Sequence, residues 1–472
     1  MNVQLQAPTK PLIGVIDPPS SKNYTTRVIL ASCLAAGESR VNRPAVQDDA
    51  VALVRCCKAL GANIIAYDDS GKPIEFEVPN GSKIDHLIIH GFGQSPQQPA
   101  HNIIDPDNAG AVLRMLMGVL CLCPAPVRVE TQHYPHSLGK RPNKDLVDAL
   151  ILLGVKVDSE NDDCTLPLTL TGGADWVDQL ATKGELNVQI SGAISSQYLS
   201  SLLFLGPLLP VPLQVDVING LKSKPLIRTT LEVLNEANVR IQAADDLESF
   251  RITPQAFSSR IWNVNGDWPG ISAVLAAAAV VPNSDVTIKR MREDQQGERK
   301  CLEFYKCMGC TIEWTPDNTE SSLRIKSPQK LTAACIDGDK ATDAVLAMMS
   351  AAACADGESV FTGINNLQFK ECDRVREPIQ EMKKIFPSGC DATWAPDNEP
   401  ETITVLGTSK KFSPDLNLEV DGRGDHRVIM LLSVLALHST QPITITGAHH
   451  VAKSFPLWFK TLEQVGVEVI EK

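Results

Sequence analysis

A helix of small residues, a turn rich in Gly, Pro, Ser or Asp, and a β-branched strand recur six times along this chain, at 30–41, 116–129, 202–217, 275–288, 350–361 and 432–445. A unit of this size can bury its apolar face only against neighbours, so the copies must stack into shared cores. Between them recurs a second phrase, an amphipathic helix closed by a left-handed residue and followed by a strand. It reads Lys58-Ala59-Leu60-Gly61-Ala62-Asn63-Ile64, then Leu152-Leu153-Gly154-Val155-Lys156-Val157, Cys307-Met308-Gly309-Cys310-Thr311-Ile312 and Gln464-Val465-Gly466-Val467-Glu468-Val469. Asn238 takes the glycine's place in the third copy, and the fifth is interrupted around Pro387-Ser388-Gly389. Gly and then Asn best tolerate the left-handed conformation that ends a helix, so even the Asn copy fits the phrase.

Each period spans roughly 70 to 90 residues, far longer than a solenoid repeat and long enough for a small βαβαββ-like unit. At 472 residues the chain exceeds one compact core, and three units in each of two domains is the simple division. A boundary is then expected near residues 259–262. Residues 1 to about 20 read as a strand ahead of the first unit and are expected to pair with the later domain. The expected division is 1–20 plus 260–472, discontinuous, and 21–259, with two chain crossings.

A hydrophobic content of 43% and a charged content of 21% are ordinary for a globular α/β protein. The longest apolar runs, 271–281 and 428–437, fall short of the roughly 18 to 20 residues of a membrane span. The first residues have neither the basic start nor the apolar stretch of a signal peptide, and a cytosolic protein is expected. The 13 cysteines are scattered, many in apolar stretches, as buried free thiols would be. Cys307 and Cys310 have CxxC spacing without a second pair, and His449-His450 lacks a third ligand, so neither is read as a metal site. A formal charge of −12 argues against a nucleic-acid partner, though not against a small anion held in a local cluster of Lys and Arg.

The unusual polar residues sit at two phases of the repeat. At the starts of the small-residue helices stand Ser21-Lys22 with Arg27, Asn108-Ala109-Gly110 with Arg114, Ser195-Ser196-Gln197, Gly266-Asp267, Asp343, and Asp425-His426-Arg427. At the turns entering the amphipathic helices stand Arg141, Ser223-Lys224-Pro225, Gln296-Gly297-Glu298, Lys370-Glu371-Cys372-Asp373-Arg374, and Lys453. Taken singly, the Ser, Asn and Asp residues read as ordinary N-caps and 370–374 as a solvated helix face. Taken together, equivalent phases of a pseudosymmetric domain point to one end, and helix N-termini are seats for phosphate or carboxylate.

These motifs resemble those of the 5-enolpyruvylshikimate-3-phosphate (EPSP) synthase family over nearly the whole chain. The resemblance is carried by Pro19-Ser20-Ser21-Lys22 with Arg27, Asp107-Asn108-Ala109-Gly110 with Arg114, Arg141-Pro142 with Leu146-Val147-Asp148-Ala149-Leu150, and Ser195-Ser196-Gln197-Tyr198. It continues through Ser223-Lys224-Pro225, Gln296-Gly297, Asp343-Ala344, 370–374, Asp425-His426-Arg427 and Ala452-Lys453-Ser454-Phe455-Pro456. It implies two inverse α/β-barrel-like domains, each of three units around a pseudo-threefold axis, with the active site in the cleft between them. It implies a monomeric transferase of the shikimate pathway, which leads to chorismate and the aromatic amino acids. The enolpyruvyl group of phosphoenolpyruvate would pass to the 5-hydroxyl of shikimate 3-phosphate, with no metal or other cofactor.

Carried over position by position, Ser195, Ser196 and Ser223 would hold the phosphate of shikimate 3-phosphate and Arg27 its carboxylate. Lys22, Asn23, Gln197, Asp343, Asn366 and Lys370 would complete that site. Lys22, Asn108, Gly110, Gln197, Arg374, Arg427 and Lys453 would hold phosphoenolpyruvate. Asp343 would be the base, Glu371 the proton carrier, and Lys22 would assist the departing phosphate.

Five positions depart from the family pattern. Asn23 stands for a serine that touches shikimate, Ala111 for a threonine, Leu226 for a tyrosine beside the shikimate ring, and Gln368 for an arginine. Ser137 stands for an arginine that grips the phosphate of phosphoenolpyruvate, a loss of about 1.5 to 3 kcal/mol, with Lys140 and His136 the nearby candidates to replace it. The sequence leaves three readings open: EPSP synthase activity with a retuned site, a paralogue acting on another shikimate-like compound by transfer or by elimination, and a non-catalytic binder. Retention of Lys22, Asp343, Glu371, Arg374, Arg427 and Lys453 speaks against the third.

Overall fold

The computed structural model describes residues 1–77, 83–315, 321–387 and 389–472. The six small-residue helices are Lys22–Leu34, Gly110–Leu120, Ser196–Leu205, Trp268–Val280, Val345–Ala353 and His426–Ala436. Every residue of the last three is buried. That explains their composition: Ala, Ser and Gly let helix backbones approach, while each buried Leu, Ile or Val adds about 1.5 to 3 kcal/mol. Gly118 marks one such approach, since its N–H donates to Ser201 Oγ at 3.1 Å and a Cβ there would lie 3.0 Å from Ser201 O.

The amphipathic helices end where the repeated phrase puts them. Gly61, Gly154, Gly309 and Gly466 have φ of 100°, 93°, 98° and 107°, and Asn238 has φ of 64°. In the fifth copy the helix Arg376–Ile385 leads to the strand Cys390–Trp394; Ser388, within the interruption, lies outside the described residues.

Among the described residues all six repeats build one sheet pattern. The strand that follows the small-residue helix has a parallel neighbour on one side and an antiparallel neighbour on the other. The latter pairs antiparallel with the strand that follows the amphipathic helix. Thus Leu213–Ile218 lies parallel to Leu186–Ser191 and antiparallel to Ser249–Ile252, which pairs with Ile241–Ala243.

In four repeats the parallel neighbour is the strand just ahead of the helix in sequence. In the other two these strands are exchanged. Ile13–Ile16 precedes Lys22–Leu34 yet pairs with Asp285–Ile288, whereas Ile261–Asn263 precedes Trp268–Val280 yet pairs with Glu38–Asn42. The first strand, Val3–Gln6, completes the sixth sheet between Ile443–Thr446 and Glu468–Glu471.

The chain accordingly divides into two compact units, Met1–Pro19 with Asn265–Lys472, and Ser20–Val264, each with its own apolar core. No helix among the described residues is long and apolar enough to cross a membrane.

Candidate active site

In the unit formed by Met1–Pro19 and Asn265–Lys472, loops of the fifth and sixth repeats meet at one guanidinium. Arg374 is buried, and its Nε donates to Asp425 Oδ2 at 2.8 Å, its Nη1 to Asp343 Oδ1 at 3.0 Å and its Nη2 to Glu371 Oε2 at 2.8 Å. Asp343 comes from the turn ahead of Val345–Ala353, Glu371 and Arg374 from the turn ahead of Arg376–Ile385, and Asp425 from the N-cap of His426–Ala436. Lys370 Nζ lies 3.4 Å from Asp343 Oδ1, and Lys453 Nζ donates to Glu371 Oε1 at 2.6 Å.

Burial works against ionisation of Asp343 and Glu371, but the cations prevail. Lys370, Arg374 and Arg427 hold Asp343 well below the ordinary carboxylate range, and Arg374, Lys453 and His426 do the same for Glu371. Burial lowers the Arg374 pKa, yet its three carboxylates raise it further. Arg427 is also buried, and among the described residues its Nε and Nη1 have no hydrogen-bond partner. An unfilled guanidinium beside carboxylates that already have their counter-ions is a seat for a further anion. Asn366 stands nearby, its Nδ2 donating to Asp339 Oδ1 at 3.3 Å and Thr342 Oγ1 at 3.2 Å.

In the unit Ser20–Val264 two buried arginines, Arg27 and Arg114, have hydrogen bonds that go to neutral oxygens. Arg27 is buried and donates to Thr230 Oγ1 at 2.8 Å, Asn23 O at 3.0 Å and Leu226 O at 3.5 Å, and burial lowers its pKa to about 10. Arg114 donates to Gln197 Oε1 at 2.9 Å, Ser195 Oγ at 3.3 Å and Pro142 O at 3.3 Å, and stands 4.9 Å from the centre of the Tyr198 ring. Buried cations without carboxylates are costly until an anion arrives. Lys22 is half-buried and has a carboxylate, Asp49 Oδ2 at 3.1 Å.

Ser196 is buried and Ser223 takes a left-handed φ of 54° ahead of Lys224–Glu236. Asn108 Oδ1 accepts the Ser137 hydroxyl at 2.9 Å, and Gly110 opens its helix. Of the other departures, Ala111 packs on the core, Leu226 offers its carbonyl to Arg27, and Gln368 turns to Asn365 O at 3.0 Å.

Two single-residue readings divide. The side chains of Ser21, Ser195, Asp267 and Asp425 do cap their helices. The stretch 370–374 is not a solvated face, because Arg374 is buried among Glu371 of its own turn and Asp343 and Asp425 from other loops. Asp425 and Glu298 sat in recognised motifs but had no assigned role. Asp425 has no exposed side-chain surface. Glu298 accepts the N–H of Asp343 at 3.4 Å, and burial, then the charge of Asp343, raise its carboxyl to about 7. That Glu298 stands in a motif at one phase of the repeat is a signal that sequence can offer; its burial beside Asp343 is not. The CxxC pair divides into an exposed Cys307 and a buried Cys310, and the rings of His449 and His450 lie 4.1 Å apart, tilted by 36°.

A family model described as EPSP synthase (3-phosphoshikimate 1-carboxyvinyltransferase) matches residues 6–462. The 3-phosphoshikimate 1-carboxyvinyltransferase of Deinococcus radiodurans is 38% identical over 461 residues, covering 97% of this chain and 94% of that protein. The protein of the same name from Methanosarcina acetivorans is 30% identical over 458 residues, covering 97% and 96%. In fold, the chain matches the EPSP synthase of Acinetobacter baumannii with a TM-score of 0.78 at 22% identity over 100% of both chains. It matches the enolpyruvyl transferase NikO of Streptomyces tendae with a TM-score of 0.71 at 14% identity, over 100% of this chain and 98% of that one. A match along almost the entire length, at an identity that few unrelated chains reach, makes this chain a member of the EPSP synthase (3-phosphoshikimate 1-carboxyvinyltransferase) family.

Proposed function

We propose that this protein transfers the enolpyruvyl group of phosphoenolpyruvate to the 5-hydroxyl of shikimate 3-phosphate, releasing phosphate. The observation that carries the reading is the Arg374 cluster, in which two carboxylates, Asp343 and Glu371, share one guanidinium beside Lys370, Arg427 and Lys453. Addition needs a base and an acid together, because the hydroxyl oxygen attacks C2 of phosphoenolpyruvate while C3 gains a proton. Asp343 takes the hydroxyl proton and Glu371 delivers the proton to C3. Glu371 then removes a proton from C3 as the bond from C2 to the phosphate oxygen breaks, with Lys22 meeting the leaving phosphate.

The cations give this cycle its timing. In the free protein Arg374 and Lys453 hold Glu371 ionised, a poor state for an acid. Phosphoenolpyruvate takes the same cations as partners, together with Arg427, and so returns Glu371 toward its ordinary range when a proton is needed. Asn108, Gly110 and Gln197 complete its binding. Shikimate 3-phosphate is held through its phosphate by Ser195, Ser196 and Ser223 and through its carboxylate by Arg27, with Asn23, Asn366 and Lys370 around the ring. The uncompensated charge of Arg27 supports the carboxylate assignment. The protein acts as a cytosolic monomer, for which light scattering should give about the chain mass of 51.2 kDa.

Incubation with shikimate 3-phosphate and phosphoenolpyruvate should yield phosphate and the enolpyruvyl ether in equal amounts. Absence of the ether at high enzyme concentration refutes the reading. Glu371→Gln should bind both substrates and lose turnover, and a variant that turns over normally removes Glu371 from the chemistry.

A further inference from the structure

A single buried hydroxyl sets where the guanidinium of Arg27 points. Arg27 Nε donates to Thr230 Oγ1 at 2.8 Å, while Nη1 donates to Asn23 O at 3.0 Å and Nη2 to Leu226 O at 3.5 Å. A guanidinium donates through both hydrogens of each Nη, so one on each is left for a ligand, the pair that takes a carboxylate bidentately. Of the three contacts the one to Thr230 is shortest, and it ties Arg27 of the helix Lys22–Leu34 to the helix Lys224–Glu236.

Thr230 is fully buried, and its hydroxyl hydrogen goes to Leu226 O at 2.9 Å, which leaves its oxygen to accept. The same oxygen lies 3.1 Å from Ser200 Oγ, which also stands 3.3 Å from Ser196 O on the helix Ser196–Leu205. A threonine inside a helix commonly bonds the carbonyl four residues back and does no more. Thr229 is that plain case on the same helix, equally buried and donating to Pro225 O at 3.1 Å. Thr230 differs in receiving a charged donor and in meeting a further helix. Its oxygen joins Arg27 to the two helices whose starts carry Ser196 and Ser223.

We infer that Thr230 is a positioning residue for shikimate 3-phosphate: its hydroxyl holds Arg27 at a fixed span from Ser196 and Ser223, so that carboxylate and phosphate of one ligand are met together. The inference rests on the proposed function and adds to it a residue that touches no substrate.

The test is Thr230→Val, which keeps the shape of the side chain and removes the hydroxyl. The KM and the calorimetric Kd for shikimate 3-phosphate should rise roughly tenfold, because Arg27 Nε loses its acceptor and the guanidinium turns. The KM for phosphoenolpyruvate should stay within about twofold, its assigned residues being untouched. Thr230→Ser keeps the oxygen and should recover most of the affinity. Thr229→Val makes the same loss on the same helix away from Arg27, and should leave both KM values within about twofold. In an Arg27→Gln background Thr230→Val should cost less than about twofold further, since residues that act through one another are not additive.

An unchanged Kd for shikimate 3-phosphate in folded Thr230→Val overturns the inference. So does an equal rise in both KM values, or a rise as large in Thr229→Val, either of which marks loosened packing. A further loss of roughly tenfold in the Arg27→Gln background shows that Thr230 does not act through Arg27. Should Thr230→Val not fold, Thr230→Cys decides, since sulfur is a weaker acceptor for Arg27, and an affinity equal to that of Thr230→Ser overturns the inference. Wild-type protein that forms no ether overturns the reading of function, and Thr230 is then judged on the calorimetric affinity for shikimate 3-phosphate alone. Wild-type protein that does not bind shikimate 3-phosphate overturns both.

Discussion

Replacing Glu298 by Gln should stabilise the protein by an amount that grows with pH. Glu298 is buried in the turn Gly297–Lys300, where burial and the charge of Asp343 raise its carboxyl from 4.5 to about 7. Below about pH 4 this group is protonated in both the folded and unfolded states, and its raised pKa costs nothing. Between 4.5 and about 7 the unfolded chain ionises first, so stability falls as pH rises; above about 7 both states are ionised and the penalty stays constant. At about 1.4 kcal/mol per pH unit the full penalty is about 3 kcal/mol. Gln keeps an oxygen for the N–H of Asp343, which Glu298 accepts at 3.4 Å, and it never ionises.

The variant should therefore exceed wild type by about 1 kcal/mol at pH 5 and about 3 kcal/mol at pH 8. Urea unfolding at pH 5, 6, 7 and 8 measures the difference, with fluorescence of the buried Trp268 and Trp458 as the signal from the same unit. A difference that does not change with pH, or a variant weaker than wild type at pH 8, refutes the argument that Glu298 is held against ionisation by burial and a like charge.

Asp425→Asn keeps an oxygen to cap the N–H of Arg427 but removes the carboxylate at 2.8 Å from Arg374 Nε. It should cost about 3 kcal/mol in urea unfolding at neutral pH, and a loss under about 1 kcal/mol means that Asp343 and Glu371 suffice for Arg374. Gly466→Ala should cost about 1 to 2 kcal/mol from backbone strain alone, because φ is 107° and an added Cβ meets nothing within 4 Å. Asn238→Gly, at φ 64°, should change stability by a few tenths of a kcal/mol at most. If the Ala and Gly variants shift equally, left-handedness is not what these positions select.

The repeated phrase was legible because its causes are local. A left-handed residue after an amphipathic helix is chosen by its own backbone, which is why Gly61, Gly154, Gly309, Gly466 and Asn238 could be read off one by one. The caps Ser21, Ser195, Asp267 and Asp425 were readable for the same reason, each meeting a donor within three residues of itself. The motif residues could be gathered into one family pattern without knowing which of them touch.

The tertiary structure decided everything that depends on segments distant in sequence. Nothing near Ile13–Ile16 says that it pairs with Asp285–Ile288 while Ile261–Asn263 takes the place beside Glu38–Asn42; that exchange is settled by which edge each sheet leaves open. Arg374 looked like one charge on a solvated face, and its partners Asp343 and Asp425 lie 31 and 51 residues away. Glu298 became a reluctant carboxylate and Thr230 the acceptor of Arg27 Nε only once folding removed water from one and brought a guanidinium to the other. Sequence determines which groups are present and how each turn bends, whereas desolvation and charge pairing vary with distances in space that only the packed chain sets.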